Sequence, residues 1–283
     1  MEQTAAELTA VTPTRSNRSK AKGWIGPVVF AAVLGGVASF TGSWLHRRAT
    51  PTYPSFRALN GNGTPVHWVR REIVLRPVLP RHSISPADYL ATLRFGIDAW
   101  NGALRGCSTP QLRLGPVMDD RHKVRQDGVS MVVVREGKWC SDDDVRLESC
   151  YDRSIEAITN LYPSRALGAA EDGAVREVDI EVNAVDYTWS LDGAAPASRN
   201  LRALMTHELG HALGLDHVCR SAQSTVAQTP GAPVCESSNT QASIMFPHVT
   251  TDRAHGAPRP GSSEITLLCK SYTSLGTPES GGR

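Results

Sequence analysis

Within HELGHALGLDH, residues 207–217, the side chains whose spacing can do chemistry are His207, Glu208, His211 and His217. His207 and His211 stand four positions apart in a stretch of helical composition. That is roughly one turn, so both imidazoles leave the same face and can share one metal ion. Gly214 lets the helix stop and the backbone reverse, because glycine enters the left-handed conformation without a Cβ penalty. The reversal returns His217 as a third nitrogen ligand. Three neutral imidazoles with a fourth position open suit a single catalytic Zn2+, with Zn–N bonds of about 2.0–2.1 Å. Glu208, directly after the first ligand, is the carboxylate placed to take a proton from an activated water.

The rest of the chain must position those groups. Its 283 residues, 40% apolar and 20% charged, are ordinary for a globular protein of one large or two small domains. A net charge of +2 gives no reason to expect nucleic acid or an acidic polymer as a partner. The six cysteines, Cys107, Cys140, Cys150, Cys219, Cys235 and Cys269, contain no CxxC pair. Zinc ribbons and thioredoxin-like redox sites are therefore poorly supported, and three disulfides in an oxidising compartment fit better. Six cysteines allow fifteen connectivities. Closeness in sequence favours Cys140–Cys150 and Cys219–Cys235, leaving Cys107 with Cys269.

The N-terminus points the same way. Residues 1–23 form a basic, cytoplasmic leader with Arg15, Arg18, Lys20 and Lys22. An apolar run follows from Trp24 to Phe40, extendable to Leu45, at the lower limit for spanning a bilayer. Residues 24–45 read as a signal anchor or a cleaved signal peptide, and the positive-inside rule puts everything after them outside the cytoplasm. Residues 46–64, rich in Pro, Thr, Gly and Asn, read as a linker, 65–273 as the folded domain, and 274–283 as a disordered tail.

Within the domain, Trp68–Val78 has strand composition in its second half. Ser85-Pro86 is an N-cap followed by proline at the first helical position. Leu90, Leu93, Ile97, Trp100 and Leu104 then repeat at helical spacing, predicting a helix over 86–104. Short strands are expected at 111–118 and 130–135, and the alternation of EVDIEVNA predicts a half-exposed strand at 177–184. Helices at 201–213 and 263–272 enclose a loop-like stretch, 218–242. This order gives an α+β domain with a small mixed sheet, two long helices and a C-terminal helix. Asp142-Asp143-Asp144 offers hard oxygen ligands for a structural Ca2+ but lacks the alternate spacing of a calcium loop, so a solvated loop is the better reading. Asp216 is read as a structural hydrogen-bonding residue. His67, His82, His122, His248 and His255 are scattered and read as surface residues.

HELGHALGLDH resembles the HExxHxxGxxH zinc signature of the metzincin metallopeptidases. Ser243-Ile244-Met245-Phe246-Pro247 is similar to the Met-turn of that clan, and Pro247 favours its matrixin branch. VDIEVNAVDYTWS, MVVVREGKWC and GIDAWN also resemble bacterial matrixin-like proteins. The resemblance spans roughly 65–273 and implies a metzincin-like catalytic domain with a small twisted sheet. It implies His207, His211 and His217 as zinc ligands, Glu208 as general base, Met245 beneath the metal, and the strand at 177–184 bordering a cleft for an extended protein or peptide substrate. Departures are visible too. There is no PRCGxPD cysteine switch, Glu177 stands where matrixins place a structural zinc ligand, and Ser263-Glu264 replaces their two aspartates. The implied function is a monomeric, exported zinc endopeptidase, membrane-held if residues 24–45 are retained. The alternative is a non-catalytic zinc-bearing binding module of the same fold; hydrolysis of a non-peptide amide or ester is a third reading.

Overall fold

The computed structural model describes residues 55–142, 150–163, 172–220, 232–235, 238–247 and 258–274. Contacts divide the chain into residues 1–47 and 48–283. The first unit, with the leader and the whole apolar run, lies outside the described residues. Among the described residues no helix is long and apolar enough to cross a membrane.

The second unit is built around a mixed, mostly parallel sheet. Its strands are β2 (His67–Trp68), β3 (Glu72–Pro77), β4 (Gln111–Leu114), β5 (Met131–Arg135), β6 (Ala157–Pro163) and β7 (Ala174–Asn183). The main order is β6-β7-β5-β3-β4, and β2 pairs with the first residues of β7. β6 alone runs antiparallel, with Thr159 opposite Ile180. Asp179–Val182 pairs with both β5 and β6, so β7 is a central strand and β6 an edge.

Two helices cover one sheet face. α1 (Pro86–Ala103) starts where Ser85 accepts a hydrogen bond from the Asp88 amide and Pro86 pre-sets the first turn. Its stripe of Tyr89, Leu93, Ile97 and Trp100 is buried, and Tyr89 donates to the Val132 carbonyl at 2.8 Å. α2 (Leu201–Ala212) is capped by Asn200, whose side chain accepts from the Ala203 amide at 2.9 Å. Asn200 itself ends β9 (Ser198–Asn200), which pairs with β8 (Thr188–Ser190). Leu201, Leu204, Met205 and Leu209 join Val178, Ile180 and Val182 in one core.

Several expectations need correction. The strand expected half-exposed at 177–184 begins at Ala174 and is buried on both faces. Val178, Ile180 and Val182 meet the helices, while Glu177, Asp179 and Glu181 are buried on the opposite face. Alternating polarity here marks two chemically different interiors, not an interior and a solvent side. Residues 55–64 belong to the folded body rather than to a linker: β1 (Phe56–Arg57) pairs with β10 (Leu215–Asp216) beside His217. Arg57 is buried with its guanidinium over the Tyr272 ring. The loop-like stretch contains a one-turn helix, α3 (Ser238–Gln241), and the last helix, α4, runs Ser262–Ser274. Strand β6 had no counterpart in the sequence reading.

All six cysteines are paired: Cys107–Cys269, Cys140–Cys150 and Cys219–Cys235. The first ties the segment after α1 to α4, and the third closes the chain that follows His217.

Candidate metal centre and general base

The site grows from α2 and the reversal behind it. Gly214 has φ +90°, and a Cβ there would sit 2.8 Å from the Arg57 guanidinium. The backbone angle favours glycine, and any larger residue would also have to displace the Arg57 guanidinium. The turn is held by Trp68, whose indole donates to the Ala212 carbonyl at 2.6 Å. Gly210 answers a different demand: a Cβ would collide with the Met245 sulfur and lie 2.9 Å from the Trp100 ring. The small residue inside the histidine motif therefore admits the two bulky side chains that back the helix. Trp100 in turn donates to the Thr206 carbonyl at 2.7 Å.

His207, His211 and His217 converge as a group able to hold a metal ion. Their Nε2 atoms are 3.0 Å apart for His207–His211 and 3.2 Å for each pair with His217. The other ring nitrogens fix the tautomers. His207 Nδ1 lies 2.7 Å from the Ile244 carbonyl and His211 Nδ1 2.9 Å from the Leu215 carbonyl. A carbonyl only accepts, so both Nδ1 atoms carry the proton and both Nε2 atoms present lone pairs. Converging lone pairs repel unless a cation lies between them. Tetrahedral zinc with bonds of about 2.0–2.1 Å would hold its nitrogens about 3.3 Å apart, close to the separations found. The donor set fits zinc.

The Met-turn residues support the same ligands. Val218 donates to the Met245 carbonyl at 3.1 Å, joining the turn to the residue after His217. Ser243 Oγ accepts from the Met245 amide at 2.9 Å and donates to the buried Glu264 carboxylate at 2.5 Å. Glu264 thus braces the turn whose Ile244 carbonyl orients His207. Asp216 accepts from the His217 amide at 2.6 Å, a structural hydrogen bond beside the third ligand.

Glu208 is only 4% exposed. Burial pushes its carboxyl above the ordinary range, while His211 and the Thr159 hydroxyl pull it back. Thr159, on β6, donates to Glu208 Oε2 at 2.6 Å. The strand bordering the base is therefore β6 and not the stretch at 177–184, which lies one strand further in. No local pattern marked Thr159. A hydroxyl in a short, half-buried strand is common, and only the pairing of Thr159 with Ile180 turns it towards α2.

The other singled-out residues lie apart from the centre. Asp142 binds Arg135 at 2.7 and 3.0 Å and accepts from the Val124 amide, while Asp143 and Asp144 lie outside the described residues. His122 faces Asp127 at 3.0 Å, and His82 gives its amide to Glu136. His248 and His255 lie outside the described residues.

Residues 166–230 match the model of the matrixin family, a span that takes in β7, α2 and the three histidines. Over this span the chain is similar to the matrixins. No curated protein matches it.

Proposed function

We propose that the chain is an exported, zinc-dependent endopeptidase. The observation that carries this reading is the convergence of three Nε2 atoms at 3.0–3.2 Å beside a buried carboxylate on the helix that bears His207 and His211. Zinc, if bound there, would supply an activated water and polarise a substrate carbonyl. His207, His211 and His217 would hold it. Glu208 would accept the water proton and deliver it to the leaving amine. β6 pairs only with β7 among the described strands, so its outer edge offers amides and carbonyls to an extended peptide. Three disulfides support a location outside the reducing cytoplasm.

Glu208→Gln tests the reading on a quenched fluorogenic peptide library. The variant should retain about one zinc per chain. Its cleavage should fall by roughly two to four orders of magnitude. Undiminished cleavage would remove Glu208 as base, and a wild-type chain that holds zinc yet cuts no peptide would favour the binding-module alternative.

A further inference from the structure

Among the described residues, one side chain donates a hydrogen bond to the Glu208 carboxylate, and it comes from a different element of the fold. Thr159 Oγ1 lies 2.6 Å from Oε2, a short hydroxyl-to-carboxylate contact of the stronger, charge-assisted kind. Glutamate reaches its carboxylate through three rotatable bonds, so burial alone does not decide which oxygen faces the reacting water. Threonine is stiff at χ1 because it is branched at Cβ. Its backbone is held by β6, whose register with β7 runs from Ala157 to Pro163. A rigid strand thus presents one donor to one oxygen of a flexible base.

We infer that Thr159 is a positioning residue for Glu208. It holds Oε2 and so assigns Oε1 to the proton that is taken up and passed on. The assignment rests on the reading of Glu208 as general base. It goes further in giving the edge strand of the sheet a part in the chemistry as well as a surface for substrate. A strand that aligns an extended peptide and also aims the base keeps scissile bond and base in one frame of reference. A displacement of about 1 Å at such a group can cost roughly a hundredfold in rate.

The test is a double-mutant cycle on the full chain loaded with zinc. Thr159→Val keeps the side-chain shape and removes the hydroxyl. It should lower kcat roughly tenfold or more with KM changed less than about twofold, while zinc content stays at about one per chain. Thr159→Ser should recover kcat to within about threefold of wild type. Acetohydroxamate, which binds zinc and offers a hydroxyl proton to the base, gives a readout independent of turnover. By calorimetry its affinity should fall about fivefold or more in Thr159→Val. In a Glu208→Gln background the Val change should alter it less than about twofold. Thermal midpoints monitor folding, and Thr159→Ala carries the same comparison should the valine variant unfold. Three outcomes would overturn the inference: wild-type kcat and acetohydroxamate affinity in the valine variant, a serine variant as impaired as valine, or an affinity loss that persists in the Glu208→Gln background. If the wild type cleaves no peptide, the acetohydroxamate cycle still decides the role of Thr159 while the endopeptidase reading fails separately.

Discussion

The sheet separates two groups of buried, ligand-type side chains that meet burial in opposite ways. On the helix side, three imidazoles bring their Nε2 atoms within 3.0–3.2 Å of one another, two of them with Nδ1 set against a backbone carbonyl. On the other side, Glu177, Asp179 and Glu181 are each held from within the chain. Glu177 accepts the Asp127 and Gly128 amides, and Glu181 binds Arg135 and the Tyr151 hydroxyl. Arg135 also clasps Asp142, so one guanidinium serves two carboxylates. Burial leaves Glu181 above its ordinary value despite Arg135, and burial with the neighbouring carboxylates pushes Asp179 up to about 8. The acidic row is compensated by an internal cation, by amides and, at Asp179, whose Oδ2 has no hydrogen-bond partner among the described residues, by a retained proton. Ligand-type residues alone do not define a metal centre; ligand atoms that converge on one point do.

The largest expected effect tests that distinction directly. His211→Ala should take zinc content from about one per chain towards zero and abolish peptide cleavage, as measured by metal analysis and a fluorogenic peptide. A variant that still held zinc tightly would mean the ligands lie elsewhere. Next, Arg135→Met should destabilise the fold by about 3–5 kcal/mol, because two carboxylates lose their shared cation, one of them fully buried. Denaturant unfolding of the zinc-loaded chain would show this, and a change under about 1 kcal/mol would mean that Arg135 does not balance the row.

Asp179→Asn probes the retained proton. The unfolded carboxyl ionises near the ordinary 3.8 of an aspartate, whereas the folded one keeps its proton up to about 8. Stability should therefore fall as pH rises through that window in the wild type. The asparagine variant should lose this decline, since its amide oxygen can still accept from the Met131 amide. Thermal midpoints at pH 5 and pH 8 that move in parallel for both proteins would contradict it. The smallest effect concerns a carboxylate set the other way. Burial alone would raise Glu136, but the Ser83 hydroxyl and the amides of Ser83, Arg81 and His82 hold it at about 2. Its contribution is present above the unfolded value and is lost as pH falls from 4.5 to about 2. Because the group is largely solvated, Glu136→Gln should cost less than about 1 kcal/mol at neutral pH and nothing near pH 2.

The same contrast explains what the sequence made legible. The histidine centre is encoded locally: four-residue spacing, a glycine that can take positive φ, and a ligand just past it. Helix α1 was equally plain, because cap, proline and apolar stripe agree. The acidic row was misread because alternation records polarity and not what lies opposite, and Arg135 arrives from a neighbouring strand 46 residues away. β6 escaped because Ala157–Pro163 mixes Asn, Thr and Pro with apolar residues that are only half-buried, the composition of an edge. β1 is two residues long and exists only because β10 is there to receive it. Pairing across sequence distance, not local propensity, made each of these elements.

The disulfides, considered as covalent topology, carry a last consequence. Cys107–Cys269 closes a ring of sequence separation 162 that contains both smaller bridges and every residue of the histidine centre. A backbone cut between Cys140 and Cys150, or between Cys219 and Cys235, falls inside two nested loops. The severed ends then remain in one molecule. In this chain a nick at either place adds chain ends without releasing a fragment.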